Sequence, residues 1–178
     1  MKKANKTNAM RILDSLNIEY GCMTYECEDG HIDGISVAHK TRQNPQAVFK
    51  TLVATGRSRE LYVFCIPVGY ELDLKKAAKS SNEKSIEMLP LKELTKNTGY
   101  VRGGCSPIGM KKHYRTFIDE TALLQDKILV SAGVIGTQII IRADDLIIAA
   151  QAEYADLIYM EFTSEPDSYP FKLFKGFE

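Results

Sequence analysis

The sequence predicts a single α+β domain, whose mixed β-sheet curls into a barrel-like core with helices around it. Its 178 residues suit one hydrophobic core. Apolar residues make up 44% of the chain and charged residues 26%, as in a globular protein rather than a disordered one. Helix and strand patterns mix irregularly and are joined by connections of hairpin length. That order favours α+β over regular β-α-β units.

Three elements are expected in the first quarter of the chain. Apolar residues recur at helical spacing over residues 9–16 and predict a first helix. Asn or Thr side chains close to the start of this helix can cap it. Alternating residues 18–25 predict a strand, after which the acidic, glycine-bearing residues 26–34 (the acidic loop) predict a loop. Ser36 can cap a second, short helix.

A hairpin follows, with strands at residues 48–55 and 61–67. Lys50 is a polar residue early in the first, otherwise apolar strand. From this segment alone two interpretations stay open. Lys50 is either an edge-strand lysine that extends to water, or a cation in a cleft with three donors for a phosphate or an ester carbonyl.

The second half of the chain continues the mixture of helices and strands. Asp73 begins a helix, and a further helix over residues 90–96 has Pro at its first position and ends before Gly99, a suitable C-terminal cap. Asp144 can cap a last helix that ends near Ala152. Strands are predicted at residues 116–118, 127–131 and 137–142.

Glycine and proline crowd the stretch from 99 to 109 (the glycine-rich loop), where the backbone can approach a ligand closely. Cys105 lies in this loop and is a candidate nucleophile, but the sequence places no base beside it. The nucleophile elbow, the phosphate-binding loop and the dinucleotide fingerprint are all absent from the sequence.

Charge and composition restrict the partners. Lys and Arg total 23 and Asp and Glu total 23, so any contact with nucleic acid must be local. Basic clusters at residues 75–79 and 111–115 are either such contacts or solvated faces. The cysteines and histidines lack zinc-ligand spacing, which argues against a metal. No signal peptide or membrane span is visible, and a cytoplasmic location is expected.

Three ordered segments carry a resemblance to a known family. They are residues 49–52 (Phe-Lys-Thr-Leu), residues 72–76 (Leu-Asp-Leu-Lys-Lys), and residues 98–112, which include the glycine-rich loop. Over about residues 7–158 the chain resembles the YbaK and EbsC group, which is related to the editing domain inserted in bacterial prolyl-tRNA synthetases. A chance match of three segments at such spacing is improbable.

The resemblance implies a deacylase that clears amino acids wrongly attached to tRNA, above all cysteine on the proline tRNA. It implies the aminoacyl-tRNA acceptor end as the substrate, prolyl-tRNA synthetase as a partner, and neither metal nor cofactor. YbaK-like enzymes use the thiol of the substrate itself, which attacks its own ester and leaves as a cyclic thiolactone. The protein then mainly positions and polarises the substrate.

The resemblance also implies roles for individual residues. Lys50 corresponds to the lysine most tied to activity, Gly103 to the glycine whose backbone contacts the ester, and Tyr25 to a tyrosine of the first strand. Those three are the predicted catalytic residues. Substrate-binding roles are implied for six more: Thr51, Gly104, Ser106, Pro107, Ser131 and Gln138.

One of these positions departs from the family pattern, and one segment lies outside it. Gln138 stands where YbaK has an aspartate, which puts the amino-acid preference in doubt and leaves alanine, serine or threonine as alternative substrates. Residues 1–158 are predicted to form the editing domain. Residues 159–178 are predicted to form an aromatic extension that docks on the domain or on a partner, so that a non-catalytic binding module is a further alternative.

Overall fold

The computed structural model describes residues 5–159, which contain five α-helices, one 3-10 helix and eight β-strands. The α-helices are α1 (Asn8–Ser15), α2 (Gly34–Lys40), α3 (Leu74–Ser81), α4 (Leu91–Thr98) and α5 (Ala143–Ala150), and the 3-10 helix is Glu120–Leu124. The strands are β1 (Gly21–Thr24), β2 (Phe49–Gly56), β3 (Leu61–Pro67), β4 (Ile86–Met88), β5 (Arg115–Asp119), β6 (Ile128–Ser131), β7 (Thr137–Ile141) and β8 (Ala152–Ala155). The domain is therefore α+β, as predicted.

The strands form two sheets, and neither closes on itself. The larger is mixed, in the order β4-β2-β3-β5-β8, and the smaller is antiparallel, in the order β1-β7-β6. In the larger sheet β3 and β5 run parallel, as do β5 and β8. The predicted hairpin is confirmed, since β2 pairs antiparallel with β3 from Phe49 opposite Pro67 to Thr55 opposite Leu61. The prediction of a barrel-like sheet is not confirmed.

The two sheets meet at the start of β2. Val48 forms an isolated parallel bridge with Leu129 of β6, and the Leu129 amide donates to the Ala47 carbonyl at 2.8 Å. Val48 and Leu129 are both buried, and they belong to a small apolar cluster between the sheets. The first residues of β2, Lys50 among them, are thereby held close to the smaller sheet.

Several predicted helix ends are confirmed and others are wrong. The Asp73 carboxylate caps α3 by accepting from the amides of Lys75 and Lys76. Gly99 ends α4 at a φ of 83°, a left-handed conformation that suits glycine. Pro90, predicted at the first helical position, is instead the N-cap of α4.

Two predicted N-caps belong to other residues. Helix α2 is capped by Asp33 rather than Ser36, because the Asp33 carboxylate accepts from the Ser36 amide at 3.0 Å. Helix α5 follows Arg142, and Asp144 lies in its first turn, where its charge suits the helix dipole. Ser36 and Asp144 are preferred cap residue types, but Asp33 is one as well and lies closer to the start of α2, while α5 begins without a side-chain cap.

Strands β4 and β8 are not in the sequence prediction. Strand β4 has three residues and pairs with the far end of β2. Strand β8 begins at Ala152, where the last helix was expected to end, and pairs parallel with β5. Both strands are short edge strands, so they lack the alternating pattern that a longer half-buried strand shows. Residues 160–178, which make up all but the first residue of the predicted aromatic extension, lie outside the described part of the chain.

Candidate active site

A pocket of about 750 Å³ opens where four segments meet. These are the acidic loop with the start of α2, the first half of β2, the glycine-rich loop, and the facing ends of β6 and β7. Six of the nine predicted site residues line this pocket: Tyr25, Lys50, Thr51, Gly103, Ser131 and Gln138. The structure therefore brings together positions that lie more than a hundred residues apart in the chain.

Lys50 enters the pocket from β2, opposite Ile66 of β3. Its side chain is only 25% exposed, and its ammonium lies 3.6 Å from the Glu71 carboxylate, whose side chain is 89% exposed. An ion pair to so exposed a partner is screened by water and contributes little. The ammonium therefore keeps donors for a ligand, and the structure favours the cleft interpretation of Lys50 over the edge-strand one.

Gly103 has a backbone conformation and a close neighbour that both favour glycine. Its φ is +81°, and a Cβ built on it would lie 2.7 Å from Cδ1 of Ile32. Ile32 belongs to the acidic loop and also lines the pocket. Gly103 thus lets the glycine-rich loop and the acidic loop touch. Within residues 5–159 the Gly103 amide donates to no other group, so it keeps a donor for a ligand.

Gly104, Ser106 and Pro107 are buried behind the pocket and do not line it. A Cβ on Gly104 would lie 3.0 Å from the Ile135 backbone nitrogen, so this glycine permits close packing against the β6–β7 turn. Ser106 is fully buried, and its hydroxyl accepts from the Ile108 amide at 3.3 Å. These three residues shape the glycine-rich loop from within. Their predicted contact with substrate stays untested.

Ser131 and Gln138 face each other across β6 and β7. The Ser131 hydroxyl accepts from the Gly133 amide at 3.2 Å and so orders the turn after β6. Gln138 is only 6% exposed, and its side-chain carbonyl oxygen has no hydrogen-bond partner among the described residues. A buried polar atom without a partner costs about 1 to 3 kcal/mol, so this oxygen is suited to accept a hydrogen bond when a ligand arrives.

Tyr25 follows directly after β1 rather than lying within it. Its amide donates to the Gly136 carbonyl at 2.9 Å, which continues the pairing of β1 with β7 by one residue. This bond fixes the point where the chain leaves the smaller sheet and enters the acidic loop. The half-buried Tyr25 side chain lies at the pocket wall.

Two thiols and one carboxylate in or behind this pocket are poorly suited to act as a nucleophile or a base. Cys105 lines the pocket, but burial raises the pKa of its thiol to about 12, so the thiol stays protonated at neutral pH. Burial likewise raises the pKa of the Cys65 thiol behind it to about 12. The Asp33 carboxylate accepts from the hydroxyl and the amide of Ser36 while it caps α2, and these bonds lower its pKa.

Comparison with known proteins identifies the family. Residues 30–148 match the family model of the aminoacyl-tRNA editing domain. The chain belongs to this family. It is also 40% identical over 160 residues to the Enterococcus faecalis protein named "Putative Cys-tRNA(Pro)/Cys-tRNA(Cys) deacylase EbsC", a match that covers 90% of this chain and 98% of that protein. The resemblance inferred from three sequence segments is confirmed.

Solved structures share the fold of this editing domain. A crystal structure described as "a putative trans-editing enzyme for prolyl tRNA synthetase" superposes with a TM-score of 0.74 at 18% identity, covering 88% of this chain and all of that one, 100%. The structure of hypothetical protein APE2540 has a TM-score of 0.76 at 16% identity and covers 84% of this chain and 97% of its own. At such identities the likeness establishes the fold.

The sequence-based prediction missed several pocket residues of the editing domain. Arg102 lines the pocket, is exposed, and forms no ion pair within the described part of the chain. It lies within the third segment of the family resemblance, which is the signal that could have identified it. The acidic loop contributes Gly30, Ile32 and Asp33. Its composition predicts a loop but carries no sign that this loop forms a pocket wall.

Residues 5–159 contain neither a metal-binding cluster nor a membrane-spanning helix. No group of three or more His, Cys, Asp or Glu side chains is arranged to hold a metal ion in this region. Over the same residues, no helix combines the length and the apolar character of a membrane span.

Proposed function

We propose that this editing domain is a deacylase that acts in trans and clears cysteine from Cys-tRNA(Pro). The observation that carries the proposal is the Lys50 ammonium, which lies in a pocket beside Gly103 in a chain of the aminoacyl-tRNA editing family. The name of the Enterococcus faecalis relative, a Cys-tRNA(Pro)/Cys-tRNA(Cys) deacylase, supports the same substrate. Cys-tRNA(Cys) is the second substrate to be tested.

Two cations of the pocket suit the acceptor end of a tRNA. Lys50 and Arg102 both line it, and their charges have at most an exposed carboxylate as a partner. Lys50 holds the terminal adenosine or its phosphate through charge-assisted hydrogen bonds. Arg102, whose planar guanidinium can bind a phosphate through two donors, holds the backbone next to it. Binding is thus local, as the zero net charge requires.

The thiol of the substrate supplies the nucleophile that the pocket lacks. In the proposed reaction this thiol loses its proton, and its sulfur attacks the carbonyl carbon of its own ester. A C–S bond forms, the ester C–O bond breaks, and the ribose oxygen leaves and gains a proton. The products are a cyclic thiolactone and free tRNA. Holding the thiol and the carbonyl in reactive geometry can supply about 7 to 11 kcal/mol in the best cases.

Gly103 is proposed to stabilise the negative charge on the ester oxygen. Its amide has no acceptor among the described residues, and its position is fixed by contact with Ile32. A donor preset in this way stabilises an oxyanion without reorganisation during the reaction. Tyr25 and Thr51 line the same pocket and are proposed to contact the substrate, while Ser131 orders the turn beside Gln138.

A second candidate is a deacylase for serine, threonine or alanine, and the observation behind it is Gln138. The unpartnered amide oxygen of Gln138 can accept a hydrogen bond from a substrate hydroxyl or ammonium group. A substrate without a thiol cannot cyclise, and it would need a positioned water. A panel of tRNAs charged with cysteine, serine, threonine or alanine distinguishes the two candidates.

The decisive experiment combines this panel with variants of Lys50. If Lys50 contributes one charged hydrogen bond, about 1.5 to 3 kcal/mol, Lys50→Met lowers kcat/KM for Cys-tRNA(Pro) about 10- to 100-fold. Glu71→Gln is the matched control, since it removes the carboxylate near Lys50 and leaves the ammonium in place. It should retain the parent rate.

Two results would overturn these assignments. Parent-like turnover by Lys50→Met contradicts the role of Lys50. An absence of turnover on the whole panel contradicts the deacylase itself, and binding without turnover would then favour a module that only holds the aminoacyl end.

Turnover by a chain that ends at residue 158 would support the proposed domain boundary and count against that module. Association with prolyl-tRNA synthetase and a cytoplasmic location remain predictions.

A further inference from the structure

Lys40 attaches the acidic loop to helix α2 through all three protons of its ammonium group. In the last turn of α2, its Nζ donates to the Glu26 carbonyl at 2.8 Å, to the Asp29 carboxylate at 2.6 Å and to the His31 carbonyl at 2.8 Å. A lysine ammonium has three donors, so none is left over. The Lys40 side chain is 20% exposed, less than that of any other lysine in the ion pairs found among residues 5–159.

Apart from the Asp33 cap, which joins only the end of the acidic loop to Ser36, the loop has little else that attaches it to the helix. Its own hydrogen bonds join residues two or three apart: the Gly30 amide to the Cys27 carbonyl, the His31 amide to the Asp29 carboxylate, and the Ile32 amide to the Gly30 carbonyl. Such bonds set local turns and do not dock the loop. Glu26, Asp29 and His31 are exposed, and so the apolar burial that would hold the loop in place is small.

The anchored segment forms one side of the pocket. Gly30 and Ile32 line it, and the Ile32 side chain fills the space where a Cβ of Gly103 would lie. The Lys40 bonds to residues 26, 29 and 31 alternate with these pocket residues along the chain. A displacement of the loop would therefore move Ile32 away from Gly103 and widen the pocket.

We propose that Lys40 is a positioning residue that holds the acidic loop against the glycine-rich loop and so keeps the pocket formed before substrate binds. Lys40 does not line the pocket, so its effect on turnover passes through the loop. Only the kinetic part of this inference rests on the proposed deacylase function. Displacing a reacting group by about 1 Å can cost about 100-fold in rate, and loss of the anchor should therefore appear mainly in kcat.

Lys76 provides a matched control. Its ammonium also bonds a carboxylate, Asp156 at 2.8 Å, and a backbone carbonyl, Ile158 at 3.0 Å, but the segment that it anchors lines no part of the pocket. The test compares Lys40→Met with Lys76→Met in the full chain. One measurement is the amide hydrogen exchange of residues 26–34 and 99–109, and the other is kcat and KM on Cys-tRNA(Pro).

For Lys40→Met we expect exchange at residues 26–34 to accelerate about tenfold or more and kcat to fall about tenfold or more, with a smaller change in KM. Lys40→Arg keeps the charge and the donors and should recover most of both losses. Lys76→Met should change neither the exchange at residues 26–34 nor kcat. The exchange measurement needs no turnover, so it tests the anchor even if the proposed function is wrong. Unchanged exchange in Lys40→Met, or faster exchange with an unchanged kcat, would overturn the positioning role.

Discussion

Replacing Gly103 by alanine tests whether the contact between the two loops is set by this single residue. An alanine here must adopt a φ of +81°, and its Cβ would lie 2.7 Å from Cδ1 and 3.3 Å from Cγ1 of Ile32. The left-handed conformation costs a non-glycine residue about 1 to 2 kcal/mol. Overpacking adds at least about 1 kcal/mol, the low end of its usual range, because Cδ1 is the end of a side chain that can shift.

Two other glycines separate these contributions. Gly30 has a φ of +75° with no atom within 4 Å of a built Cβ, so Gly30→Ala has the conformational cost alone. Gly69 has neither a positive φ nor an atom within 4 Å, so Gly69→Ala should be neutral or stabilising by up to about 1 kcal/mol. The expected order of destabilisation is Gly103→Ala, then Gly30→Ala, then Gly69→Ala.

Urea unfolding measures these differences. With a slope of about 2 kcal/mol per molar urea, a loss of about 3 kcal/mol lowers the midpoint for Gly103→Ala by about 1.5 M. Ile32→Ala removes the clashing atoms, so Gly103→Ala in that background should cost only about 1 to 2 kcal/mol. An equal cost in both backgrounds would refute the steric part of the reasoning. A Gly103→Ala cost no larger than that of Gly69→Ala would refute all of it.

Two further predictions concern the titratable groups of the pocket. Cys105→Ala should retain deacylation within about twofold, and at pH 8 a thiol reagent should label Cys105 at least about 100-fold more slowly than the exposed Cys22, since its pKa is raised to about 12. Rapid labelling or lost turnover would contradict this. Asp33→Ala should cost about 1 kcal/mol at neutral pH through loss of the α2 cap. Hydrogen bonds from Ser36 lower the Asp33 pKa below its usual value of 3.8. The stabilisation is therefore complete at pH values above 3.8, and it is lost as the pH falls through the lowered pKa of the folded protein. A urea-derived difference between Asp33→Ala and the parent that does not shrink as the pH falls below 3.8 would contradict it.

The predicted and observed elements agree best where a local pattern is strong. Strand β3 has the bounds expected for it, and Asp73 and Gly99 end their helices as predicted, because alternation and cap chemistry are local properties. Agreement fails where tertiary contacts decide. Strands β4 and β8 exist only because they pair with β2 and β5.

The candidate site shows the same difference between residues marked by a local pattern and residues placed by tertiary contacts. Lys50 is conspicuous in the sequence as a polar residue in an apolar strand, and the family segments point to Gly103. Arg102 lies within the third family segment. Ile32 and Lys40 carry no such signal, because their roles depend on which segments face each other.

The sequence by itself determined the α+β class, the hairpin and the family, and it singled out Lys50 as a candidate site residue, because each rests on residues that are close together or in ordered motifs. Only the tertiary structure decided that the sheets stay open, that the buried Gln138 amide oxygen has no partner within residues 5–159, and that the acidic loop forms a wall of the pocket. Those features arise when distant segments pack together, as Ile32 does on Gly103. Packing of that kind depends on the shape of both surfaces, which a linear pattern does not encode.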